Sequence, residues 1–179
     1  MDRRIYALNA LDGYPTEIGM WLWALQDVRS RTLRFTAGLD QRTLDWEGPR
    51  EDENAIGSLL YHIAVVEMGW MYMDIREGRT PDAVKAMFPY DDRDKGRLMR
   101  VRGLPLADHL KRLEDSRRIL LTELSGMTLE DWRTLRNPPD EEYAVSPAWV
   151  IYHLVEHEAG HAAQIGALKA RAGRFFGAA

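Results

Sequence analysis

The segment from Pro147 to about Ala172 limits the possible folds more than any other part of the chain. Trp149, Ile151, Tyr152, Val155, Ala159, Ala162, Ala163 and Ile165 spread around nearly its whole circumference. A helix that is apolar almost all round belongs in the middle of a helical protein. Ser146-Pro147 opens it as an N-cap followed by proline at the first helical position. At 100° per residue, His153, Gln164, His157 and His161 fall within one wedge of about 80°, closed at its ends by Val150 and Leu168. A central helix aims such a wedge at an interior site, and buried imidazoles without partners there would cost a few kcal/mol.

Three more segments carry the 3.6-residue period. The first runs from about Pro15 to Gly38, with Ile18, Trp21, Leu22, Leu25 and Val28 on its buried face. The second starts near Asn54, read as its N-cap, and runs to Glu77, with Ala55, Leu59, His62, Val66, Gly69 and Met73 inward. The third spans Leu106 to Leu124, with Leu106, Leu110, Leu113, Leu120 and Leu124 in register. Asp40 to Glu53 is a polar connector, and Thr128-Leu129-Glu130-Asp131 starts a short helical turn. Asn137-Pro138-Pro139-Asp140 reads as a loop. The connector from Gly78 to Pro105 exceeds ordinary loop length, so a short helix or a functional role is expected within it. With no β-alternation and no internal repeat, the expected fold is all-α: a four-helix bundle with a long connector between helices two and three, forming one domain over residues 1–179.

Composition narrows the function classes. A formal charge of -4 gives no support to a nucleic-acid partner, and the basic runs Arg97, Arg100, Arg102 and Arg112, Arg117, Arg118 read as solvated helix faces. The absence of cysteine removes disulfides, thiolate ligands and a cysteine nucleophile together. No apolar run approaches the roughly 20 residues of a membrane span, and no signal-peptide pattern follows Met1. A cytoplasmic location is the expectation, with neither a membrane nor a nucleic acid as partner.

Five histidines are present: His62, His109, His153, His157 and His161. Imidazoles four apart on a helix are neighbours and can converge on one ion at about 2.0–2.1 Å. His62, in the middle of the apolar stripe of the second helix, is the best third ligand. His109 has no such company and reads as a surface residue. Spacing alone leaves His153/His157 and His157/His161 tied as the pair. His157-Glu158-Ala159-Gly160-His161 also matches H-E-x-x-H, the zinc-peptidase helix with glutamate as general base. Zincins take a third ligand downstream, however, and residues 162–179 contain no His, Asp or Glu. A ferritin-like di-metal site would need two E-x-x-H motifs, and only Glu158-x-x-His161 is present.

Asn54-Ala55-Ile56-Gly57-Ser58-Leu59-Leu60-Tyr61-His62, continuing through Ile63-Ala64-Val65-Val66-Glu67, resembles the second helix of the DinB/YfiT-like superfamily. The last helix, from Trp149 through His153, His157 and His161 to Gln164-Ile165, resembles that family's fourth helix. Leu39-Asp40-Gln41-Arg42-Thr43-Leu44-Asp45-Trp46 is similar to its first connector. The likeness covers roughly Tyr14 to Ala172. It implies a four-helix bundle, often dimeric, binding a divalent ion through one histidine of the second helix and a pair on the fourth, just before a Gln-Ile dipeptide. Carried over, the ligands are His62, His157 and His161, with His153 an extra histidine one turn away.

The same resemblance implies a metal-dependent enzyme: a hydrolase acting through activated water, or a transferase acting on a low-molecular-weight thiol. Zinc or nickel is the expected ion, with iron or manganese compatible, and the expected partner is a small molecule, such as such a thiol. The apolar surplus on the first and last helices, together with the resemblance, suggests a homodimer. Tyr14, Trp21, Trp70 and Tyr152 are candidate pocket residues, though aromatics at helical spacing are often plain core. Glu67, Glu156 and Glu158 read as ordinary helix residues, and no general acid or base stands out. The alternatives are a non-enzymatic metal-binding interaction protein of the stress-response kind and the zinc peptidase considered above.

Overall fold

Long helices form where the apolar period runs. The computed structural model describes residues 3, 5–139 and 141–177; Met1, Asp2, Arg4 and the Asp140 end of the expected loop lie outside the described residues. Helix α1 spans Thr16–Thr36, α2 Gln41–Leu44, α3 Ile56–Gly69, α4 Asp82–Lys85, α5 Leu106–Glu123, α6 Leu129–Arg133 and α7 Pro147–Gly177. A π-helical turn, Trp70–Ile75, continues α3. Among the described residues the chain is all-α apart from a small hairpin and one isolated bridge. Helix α1 lies along α7 and α3 along α5, while α3 also meets α7. None of the helices is long and apolar enough to cross a membrane among the described residues.

Local chemistry sets the ends. Ser146 Oγ accepts from the Trp149 amide at 3.3 Å, as the Ser-Pro start predicts, and Thr128 Oγ1 accepts from the Asp131 amide at 3.1 Å to open α6. Asn54 does not cap α3: the cap position is Ala55, with no side-chain cap bond. Helix α3 is buried around nearly its whole circumference from Ile56 to Ala64, while Met73 of the expected inward stripe is exposed. On α1, Ile18, Leu22, Leu25 and Val28 are buried as expected. Trp21 instead sits at the edge of the α1–α7 seam, edge-on to Tyr152.

The long connector contains α4 and a two-stranded antiparallel hairpin, Arg93–Asp94 with Arg97–Leu98. Lys95 and Gly96 turn it, both at positive φ (49° and 81°), the conformation of a two-residue hairpin turn. With strands of two residues there is no alternation to read, which is why the sequence gives no β signal here.

Charged residues occupy the centre. Arg29 of α1, Glu67 of α3, Arg117 of α5 and Glu158 of α7 are all buried. Arg29 donates through Nε to Glu158 Oε1 and through Nη2 to Glu67 Oε2, both at 2.7 Å. Arg117 donates through Nε to Glu67 Oε1 at 2.7 Å and through Nη2 to Glu158 Oε2 at 2.9 Å. The remaining guanidinium donors reach the Leu113 and Leu25 carbonyls, and Thr32 Oγ1 donates to Glu158. Two guanidinium groups and two carboxylates thus close a ring that ties four helices together. Burial works against the charged form of Glu67, but Arg117 and Arg29 outweigh it and hold its carboxyl below the ordinary range. Arg117 is therefore not part of a solvated face. It lies four residues after Leu113 and three before Leu120, in the register of the core.

His109 also departs from its expected surface position. It lies three residues after Leu106 and four before Leu113, so it continues the buried stripe of α5 and is 1% exposed. Its ring sits against α3 at Gly57, where an added Cβ would meet Nε2 at 3.2 Å, and neither ring nitrogen has a hydrogen-bond partner. Burial, with the Arg112 charge adding to it, pushes the imidazole down to about 4. The unfolded chain therefore takes up this proton first as pH falls. The contribution to stability is complete above about pH 6.5 and is lost as pH drops toward about 4, by roughly 3 kcal/mol at most. His109→Leu, which removes two unsatisfied nitrogens, should match wild-type stability at neutral pH and lose that share of the acid slope. Urea unfolding at both ends of the window checks it; a loss above about 2 kcal/mol at neutral pH would contradict this reading.

Candidate metal centre

His62 stands in the first half of α3, and His157 and His161 stand one turn apart on α7 where the two helices meet. Their Nε2 atoms converge: His62 to His157 is 3.1 Å, and His157 to His161 is 3.1 Å. One nitrogen from each of the three lies within 4.8 Å of the others. Donors 2.0–2.1 Å from a common ion and roughly 90–110° apart stand about 3.0–3.4 Å from one another, so the two 3.1 Å spacings suit ligands of a single divalent cation. The rings are oriented from behind. Asp92 Oδ1 contacts His62 Nδ1, and Gln164 Oε1 lies 3.0 Å from His161 Nδ1. An acceptor on Nδ1 fixes the tautomer that leaves an Nε2 lone pair facing the centre.

The electrostatics favour the neutral ligand form. Burial foremost, then the neighbouring imidazoles His161 and His62, pushes His157 down to about 3. Burial lowers His161 as well. Asp92 is partly buried, which alone would raise its carboxyl, but its bond to His62 and the charge of Arg93 bring it below the ordinary range.

Asp92 is the site residue that sequence reasoning missed. It is brought in by the long connector, and α3 itself pins that connector. Tyr61, the residue before His62, donates through its hydroxyl to the Tyr90 carbonyl at 2.5 Å and accepts from the Tyr90 amide at 3.0 Å. One turn earlier, Ser58 Oγ accepts from the Val101 amide at 3.0 Å. The loop excess over Gly78–Pro105 is the only trace of this in the sequence.

His153 does not join the cluster. Its ring stacks on Trp149 (5.2 Å between centroids, 4° between planes) and lies 4.9 Å from Trp70 and 5.9 Å from His157. Glu158, the general base of the peptidase reading, is held in the buried ring by Arg29, Arg117 and Thr32. Glu156 is exposed. The three histidines open onto a cavity of about 660 Å³ rimmed by Arg93, Arg97, Arg171 and Gln164. Of the four candidate pocket aromatics, Trp70 lines a neighbouring cavity, Tyr14 a groove between α1 and α5, and Trp21 an apolar cavity, while Tyr152 is exposed beside Trp21.

Comparison with known proteins places this architecture. The family model of the DinB superfamily matches residues 24–165, which takes in α1 from Ala24, all of α3 and α5, and α7 through both clustered histidines. This chain belongs to the DinB superfamily. A relative within reach of sequence comparison is the uncharacterized protein YkkA of Bacillus subtilis (strain 168), 24% identical over 160 residues that cover 88% of this chain and 89% of YkkA. Of the α7 histidines, His161 faces α3, with its ring 5.0 Å from that of His62, whereas His153 packs among tryptophans.

Proposed function

We propose that this protein is a metal-dependent enzyme that acts on small molecules, with a divalent ion, zinc or nickel in the first instance, held by His62, His157 and His161. The observation that carries the reading is the convergence of three Nε2 atoms at the mouth of a cavity large enough for a small organic ligand. When bound, such an ion supplies a Lewis acid that lowers the pKa of a coordinated water or thiol. Three protein ligands leave positions for one, as in catalytic rather than structural sites.

Between hydrolysis and thiol transfer, the cavity lining favours thiol transfer. Among the described residues, the carboxylates that line the cavity or touch its histidines each have a partner: Glu53 with Arg171, Asp52 with Arg50 in an exposed ion pair, and Asp92 with His62. Among the described residues, no unpaired buried acid lines the cavity to protonate the leaving group that hydrolysis of an ester or amide releases. Forming a thiolate needs only loss of the thiol proton to solvent. Its sulfur then bonds to an electrophilic carbon, whose leaving group departs with the bonding electrons. Arg93 and Arg97, both exposed on the hairpin, can hold an anionic group of the thiol or its co-substrate. Stopped assays of the zinc- and nickel-loaded protein should find thiol consumption that needs both thiol and electrophile. Ester cleavage without thiol would move the assignment to a hydrolase, and no turnover in either assay would favour a binding protein.

Asp92→Asn should keep one ion per chain at saturating metal while weakening affinity about 10–100-fold, because His62 loses its anionic partner. Competition with a chelator of known affinity measures it, and unchanged affinity would remove Asp92 from the account.

A further inference from the structure

A second cavity of about 460 Å³ adjoins the metal centre through Asp92, which lines it while contacting His62. The π-helical turn Trp70–Ile75 forms one wall, and the wide turn sets Trp70 and Asp74 into it; such turns concentrate at functional sites. Tyr90 and Tyr143 add aromatic surface, and Asp91, Asp92 and Glu141 add carboxylates. Lys85 is its one basic lining residue, and that ammonium is solvent-exposed beside Asp82.

Asp74 is the decisive residue. It is 7% exposed, and its carboxylate accepts from the Tyr143 hydroxyl at 2.8 Å. Among the described residues it forms no ion pair. The other deeply buried carboxylates on the helices, Glu67 and Glu158, each have two guanidinium partners. Burial raises the Asp74 carboxyl, against which only the Tyr143 bond and the His153 imidazole act; a buried carboxylate that lines an aromatic cavity can be compensated further from the cavity itself. Trp70, Tyr90 and Tyr143 line it, and aromatic rings attract a weakly hydrated cation. The volume is that of a small organic molecule and far exceeds that of a bare ion.

We propose that this cavity is a binding site for an organic ammonium ion, whose charged head lies against Asp74 and the aromatic walls. None of His62, His157 and His161 lines this cavity, so binding does not require the ion. Choline and its neutral isostere 3,3-dimethylbutan-1-ol have nearly the same shape and differ in charge, which makes them the matched probes. Titration calorimetry of the full chain, with benzyltrimethylammonium as a bulkier second cation, should give saturable binding of one cation per chain, with the alcohol at least about 10-fold weaker. Asp74→Asn keeps the acceptor for Tyr143 and should weaken choline about 10-fold or more while leaving the alcohol unchanged. The wild-type comparison of the two probes needs no variant to fold. Equal affinity for choline and the alcohol, full choline affinity in Asp74→Asn, or no saturable binding of either cation up to roughly 10 mM would each overturn the proposal.

Discussion

Glu158→Gln should lower stability by about 3–5 kcal/mol, whereas Glu156→Gln, two residues away on the same helix, should stay within about 0.5 kcal/mol. The contrast follows from what each side chain meets. Glu158 accepts from Arg29, Arg117 and Thr32 in the middle of the protein, and Glu156 points into water. Neutralising Glu158 leaves two buried guanidinium groups to share the single charge of Glu67, and the uncompensated charge is the main cost. For a chain of this size the loss corresponds to a fall in Tm of roughly 6–20 °C, a large part of a typical total of about 5–15 kcal/mol. Thermal unfolding of the two variants side by side measures it. The same pair separates two accounts of His157-Glu158-x-x-His161. A peptidase base would leave stability intact and abolish activity; a structural ion pair loses stability first. An unchanged Tm in Glu158→Gln would remove the charged ring as a determinant of the fold.

Much of this was legible in the sequence, for physical reasons that can be named. The long helices are readable because burial on one face repeats every three or four residues. The boundaries of α5 and the Ser-Pro start of α7 follow from the end of that repeat and from capping. His62, His157 and His161 stood out as imidazoles on apolar faces, and the structure brings all three together. Arg29, Glu67, Arg117 and Glu158 carried the same signal, since each stands in core register among apolar neighbours. A charge there reads as a surface residue until its partners on other helices are known, and those partners are far apart in the chain. His109 misled in the same way: its position in the stripe outweighed its polarity. Asp92, Asp74 and the hairpin were out of reach for a different reason. They are set by where a long connector folds back onto α3 and by an extra residue in a helical turn, and neither leaves a periodic trace.

The assignment of the centre rests on one register difference of a single turn of α7. His153/His157 and His157/His161 have the same spacing, yet only His161 joins His157 against His62, while His153 is stacked on Trp149. Removing any of three ligands takes away a third of the protein's bonds to the ion, so affinity should collapse. Thermal stabilisation by added metal should vanish with it, because an ion favours the native state only by binding it. His153→Ala removes a ring from the aromatic stack and no ligand. The decisive measurement is metal content by elemental analysis of wild type and the His62→Ala, His153→Ala, His157→Ala and His161→Ala variants, loaded and desalted in parallel. One ion per chain is expected in wild type and His153→Ala, and almost none in the other three. Loss of the ion from His153→Ala with retention in His161→Ala would contradict the register, and retention in all four would contradict the site.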